Sequence, residues 1–110
     1  MADLILPDHF ELRTEFVWLT ENLENDLTTK AREHINHMRD SYLKKYIEKS
    51  DAEVHFHMRV QKVDNTRFEG SLNASLDGHK FYWDTDVPFK EPYDIVSHAF
   101  KHLKEHLARK

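Results

Sequence analysis

The chain has 110 residues, 39% hydrophobic and 33% charged, with a formal net charge of −4. That length suits one domain, and the balance is globular rather than disordered, with no apolar run near the ~20 residues of a membrane span. The absence of cysteine excludes disulfides, thiolate metal sites and a cysteine nucleophile, and the acidic balance excludes nucleic-acid binding through bulk charge alone while leaving a local basic face open.

Residues 1–9 read as an N-terminal extension, without the basic start or the long apolar stretch of a signal peptide, so a cytoplasmic location is expected. A single domain is expected over residues 10–110. Phe10 to Leu19 reads as a strand, with Phe10, Leu12, Phe16 and Trp18 on one side and Glu11, Arg13 and Glu15 on the other. Asp26 or Thr28 is suited to cap a helix, and Ala31, Ile35, Met38, Tyr42 and Tyr46 recur at three- and four-residue steps. The spacing predicts one helix from about Leu27 to Glu48, about 30 Å long at 1.5 Å per residue, ended by Ser50-Asp51.

A strand pattern follows, in which Val54, Phe56, Met58 and Val60 alternate with polar neighbours that include His55, His57 and Arg59. Asp64-Asn65 supplies a turn, after which Phe68, Gly70, Leu72, Ala74 and Leu76 alternate with polar residues. Asp77-Gly78 is a hairpin signal, since both central positions of a two-residue turn need positive φ. His79 to Asp84 completes the strands, with Phe81 and Trp83 opposite Lys80 and Tyr82. Pro88 and Pro92 bracket a loop, and Glu91-Pro92 opens a last helix whose stripe is Val96, Phe100, Leu103 and Leu107, with Ala99 beside it. The order is β-α-β-β-β-α. Each strand has one apolar face and each helix one apolar stripe, which predicts an α+β two-layer sandwich: a four-stranded sheet with both helices on one face, its first two strands parallel.

Nothing in this pattern demands an active site. Two glycines cannot build a phosphate-cradling loop, no serine sits in a nucleophile elbow, and Asp84 with Asp86 reads as a solvated pair. The nine histidines include His34 and His37 one turn apart, His55 and His57 on one strand face, and His98, His102 and His106 at four-residue steps. Such spacings can hold zinc, but the helical trio flanks the core stripe and no carboxylate is placed to complete a site. Surface or boundary histidines are therefore expected, with no metal, no cofactor, no small-molecule substrate and no catalysis. The cations are more suggestive. Lys30, His37 and Lys44 share one outward stripe of the first helix, with Arg39 and Lys45 to its sides, while Lys101, Lys104, Arg109 and Lys110 lie off the apolar stripe of the last. Two adjacent helices can join these into a positive surface for phosphates, which Glu33, Asp40 and Glu105 interrupt. On the residues alone a solvated mixed-charge face is the simpler account.

Several local patterns bear on that choice. Thr20-Glu21-Asn22-Leu23-Glu24 after the first strand, the hairpin from Phe68-Glu69-Gly70-Ser71-Leu72 through Leu76-Asp77-Gly78-His79, and Glu91-Pro92-Tyr93-Asp94-Ile95-Val96 running on to Leu103 and Leu107 resemble the ribosome hibernation-promoting factors. These are also called ribosome-associated inhibitors or ribosomal subunit interface proteins. The resemblance covers about Phe10 to Lys110 and is to a short form of the family. Thr20 and Glu21 stand where the family has glycine and a basic residue, and His102 and Glu105 replace two cations of its last helix. The resemblance implies a fold similar to double-stranded-RNA-binding domains. It further implies a protein, monomeric when free, that binds the small ribosomal subunit and its rRNA near the decoding region, and that inhibits translation during stress or stationary phase. The residues expected to meet rRNA phosphates are Lys30, Arg39, Lys44, Lys45, Lys101, Lys104, Arg109 and Lys110. The alternative is a protein-interaction module on the same fold, without rRNA binding.

Overall fold

The computed structural model describes residues 10–39, 41–48 and 53–109, leaving aside the side chains of Lys45 and Ile47. The N-terminal extension, Ser50-Asp51, Asp40 and Lys110 lie outside the described residues. The elements are β1 (Phe10–Val17), α1 (Glu21–His37), α2 (Lys44–Glu48), β2 (Val54–Asp64), β3 (Arg67–Leu76), β4 (His79–Asp84) and α3 (Pro92–Ala108). The four strands form one sheet in the order β1-β2-β3-β4. β1 is parallel to β2, while the β2–β3 and β3–β4 pairs are antiparallel. The predicted α+β architecture stands, with one added helical turn.

The alternation in the sequence fixes which face is covered. Val54, Phe56, Met58 and Val60 of β2 and Leu72, Ala74 and Leu76 of β3 are buried against Leu27, Ala31 and Ile35 of α1 and Ile95, Val96, Ala99, Phe100, Leu103 and Leu107 of α3. At ~25 cal/mol per Å² this apolar burial is the main favourable term for the fold. Asp77 and Gly78 both have positive φ, at 52° and 91°, as the hairpin turn requires. Gly70 matters for a different reason: a Cβ there would lie 2.7 Å from both the Arg59 carbonyl oxygen and Ile95 Cγ2. Glycine lets α3 settle onto the sheet at this point. Gly70→Ala is expected to cost about 1–3 kcal/mol, seen as a lower Tm, because the obstructing backbone oxygen belongs to a paired strand.

Four expectations need correction. The predicted 27–48 helix is two pieces, and the first starts at Glu21. Its cap is Thr20, whose Oγ1 accepts from the Leu23 N–H at 3.2 Å. Asp26 and Thr28 lie inside α1 instead, with Thr28 Oγ1 donating to the Glu24 carbonyl. The chain turns after His37, and Ser41 and Leu43 N–H groups both donate to the Met38 carbonyl. This turn buries Leu43 completely and leaves Tyr42 36% exposed. A straight helix carrying Tyr42 inward would give up the better apolar residue, so burial decides the break. Finally, β1 stops at Val17, and Trp18 is 81% exposed with φ of 60°. The reversal at that residue swings its ring out of the face occupied by Phe10, Leu12 and Phe16.

Candidate nucleic-acid interface

α1 and α3 lie side by side and run in the same direction. At their N-terminal ends the Tyr93 hydroxyl donates to Asp26 Oδ2 at 3.2 Å, and farther along the His34 ring lies flat on Phe100, with centroids 5.3 Å apart at 3°. Helical spacing puts Asp26, Lys30, His34 and His37 on the flank of α1 that faces α3, and Phe100 and Lys104 on the answering flank. Lys30, His37 and Lys104 are all electrostatic neighbours of His34. The α1–α3 seam thus gathers two lysines and two histidines from two helices.

Acidic residues are sorted to one end of this layer: Glu21, Glu24 and Asp94 occupy the first turns of α1 and α3, and His34, His37 and His106 the last turns. Carboxylates suit helix starts because of the helix dipole. Among the described residues, Lys30, Lys101 and Lys104 have no ion-pair partner.

The opposite face of the sheet is different. Arg59 Nε lies 3.0 Å and His57 Nε2 3.7 Å from Glu15, while His55 Nδ1 lies 3.2 Å and Arg13 Nε 3.8 Å from Glu11. The β1 carboxylates lie beside basic side chains of β2 because strand pairing sets Glu11 beside His55 and Glu15 beside Arg59. Such exposed pairs add little stability, but they cancel the field a phosphate would feel. The helical layer differs in bringing together, from two elements, cations that have no ion-pair partner among the described residues.

Not all eight expected cations fall on the seam. Lys30 and Lys104 do, and Lys101, exposed and three residues before Lys104, stands beside it. Lys44 does not continue the α1 stripe, because the turn after His37 separates them; it sits on α2 with Nζ 3.9 Å from Glu48 Oε1. Arg39 is exposed in that turn. Arg109 caps α3, seven residues after His102 and so on the flank away from α1. The Lys45 side chain and Lys110 lie outside the described residues.

The histidine trio of α3 packs along β4 and the loop before α3. His98 meets Phe89 edge-on at 5.2 Å, His102 stacks on Trp83 at 5.9 Å and His106 leans on Phe81 at 5.2 Å. Aromatic packing accounts for their spacing. Among the described residues no cluster of three or more metal-ligating side chains forms, and no helix is long and apolar enough to cross a membrane.

The titration of His34 is displaced downward. Burial is the largest cause lowering its pKa, followed by the charges of Lys30, His37 and Lys104, with Glu33 acting in the opposite sense. Unfolded, the ring titrates at its ordinary 6.5. Between the lower folded value and 6.5 the unfolded chain therefore holds more protons. Stability then rises with pH across that window and is fully present above it. Chemical denaturation above and below 6.5 should show this slope, and His34→Gln should reduce it.

No protein-family model and no curated protein matches this sequence. Among solved structures, the chain is similar to the N-terminal domain of Protein Y from Thermus thermophilus, with a TM-score of 0.56 and 10% identity over 90% of this chain and 97% of that one. It is equally similar to a ribosomal subunit interface protein from Coxiella burnetii, with a TM-score of 0.56 and 11% identity over 90% of this chain and 94% of that one. At such identities the likeness is one of fold. The second of these proteins bears one of the names of the family that the sequence resembles.

Proposed function

We propose that this protein is a non-catalytic, cytoplasmic ribosome-binding factor, monomeric when free. It docks on the small subunit near the decoding region, contacts rRNA phosphates through the helical layer, and inhibits translation during stress or stationary phase. The observation that carries the reading is the gathering of Lys30 and Lys104, from two helices and without ion-pair partners, around His34. Its setting is a fold shared with a ribosomal subunit interface protein. Lys101 extends the surface, and Arg39, Lys44, Lys45, Arg109 and Lys110 are proposed as further phosphate contacts from outside the seam. Such contacts fix position without reading base sequence.

Co-sedimentation tests this. The protein is expected to pellet with purified small subunits and to be released by salt, with a log–log slope of roughly −0.7 to −0.9 for each neutralised phosphate. Binding that ignores salt would refute phosphate contact. A second reading, a protein-interaction module, is favoured by Trp18, which is 81% exposed, and by the carboxylates at the helix starts. It predicts that salt-insensitive result, with loss of binding on Trp18→Ala.

A further inference from the structure

We propose that the α1–α3 seam is a proton-coupled phosphate site, in which His34 takes up a proton when a phosphate group settles against Lys30 and Lys104. The inference rests on the phosphate-binding reading above and adds to it a regulation by pH.

The geometry supplies both halves of the coupling. His34 is half-buried, and Phe100 supports one face of its ring in a near-parallel stack, with centroids 5.3 Å apart. The ring is therefore held in place rather than free to swing into solvent. The charged and titratable groups around it are Lys30, Glu33 and His37 on α1 and Lys104 on α3. Three of these four are cationic or become so, and only Glu33 favours a charged ring. In the free protein, burial and the surrounding positive charge thus keep His34 neutral at neutral pH. A phosphate placed between the two lysines reverses the sign of the nearest charge. It offsets both lysines and offers an acceptor to a ring N–H, so the protonated ring becomes the favoured form. By linkage, whatever binds the protonated form better binds more tightly as pH falls. His37, exposed on the same flank, lacks the stacking that fixes His34.

The consequence is a binder that tightens on mild acidification with no change of fold. A rise of one unit in the His34 pKa on binding corresponds to at most about a tenfold gain in affinity between neutral pH and full protonation.

Two measurements test this. Calorimetric titration of the protein into purified small ribosomal subunits, in two buffers of different ionisation enthalpy, counts protons taken up. Net uptake is expected for the native chain near neutral pH and is expected to fall markedly for His34→Gln, with His37→Gln changing it less. Equal uptake in the native chain and His34→Gln, both binding, would overturn the proton coupling while leaving ribosome binding intact. No heat and no binding for the native chain at any pH would instead overturn the ribosome reading itself. The intact protein gives a check free of substitutions. NMR of the His34 ring proton should show its titration midpoint rising when inorganic tripolyphosphate is added, while that of His57, on the opposite face, stays put. A His34 midpoint unmoved at saturating tripolyphosphate would also overturn the coupling.

Discussion

Lys30→Glu combined with Lys104→Glu is expected to weaken binding to the small ribosomal subunit by about 100-fold. Each reversal replaces an attraction to phosphate with a repulsion. A contact between unit charges is worth about 1 kcal/mol in water and about 4 kcal/mol at the effective dielectric of a protein surface. Taking about 1.4 kcal/mol for each reversed cation, near the water-like end of that range, gives about tenfold per site. The two lysines project from different helices onto one seam, so both reversals act on the same bound phosphates and their effects combine. Fold stability should change little, since neither lysine has an ion-pair partner to lose. The informative control is Lys80→Glu. Lys80 lies on the open face of the sheet and is exposed, so its reversal changes net charge as Lys104→Glu does while leaving the seam untouched. Equilibrium binding by filter retention or sedimentation separates the cases: a large loss for Lys104→Glu and a small one for Lys80→Glu mark position rather than bulk charge as the cause.

Phe100→Ala is expected to carry the largest stability effect of any single substitution in the seam, about 3–5 kcal/mol. Phe100 is completely buried, tilts against the Phe56 ring at a centroid separation of 6.3 Å, and carries His34 on its other side. Removing it opens a cavity where the sheet, α1 and α3 meet, and α1 cannot slide in to fill it without giving up Leu27 and Ile35, both buried. For a domain of this size that loss corresponds to a fall in Tm of more than about 12 °C, measured by thermal unfolding. It would also unsettle His34, because the ring loses the surface against which it lies. The same residue thus links the core to the candidate site.

The strands were legible from their alternation, because a half-covered sheet must show one apolar face. The Asp77-Gly78 turn was legible from its residue types, which tolerate the positive φ that a two-residue hairpin turn requires. The last helix was legible down to its proline-bearing first turn. The first helix was misread where two signals competed. Asp26 and Thr28 look like caps, but Thr20 is the residue whose extended backbone directly precedes the helical turns. Tyr42 continues the three-and-four spacing, but Leu43 buries better and the chain turns to admit it. Trp18 fits an alternation that its own positive φ breaks, and no neighbouring residue type announces that reversal.

At the candidate site, Lys30 and Lys104 were each visible as cations beside an apolar stripe. Their convergence was not, because a sequence does not say which flank of one helix meets which flank of another. Lys44 shows the converse: it sat on the Lys30 stripe only as long as the helix was taken to be unbroken. The role of His34 was hidden for the same reason. Its displaced titration depends on Phe100 and Lys104, more than sixty residues away along the chain.

The most direct measurement is a cryo-EM map of the protein bound to the small ribosomal subunit. Expected is the α1–α3 seam against rRNA, with Lys30 and Lys104 at phosphates and the β1–β2 carboxylates Glu11 and Glu15 turned away. A map with the open sheet face on rRNA, or with the helical layer exposed to solvent, would contradict the claim that cations on two parallel helices make the contact.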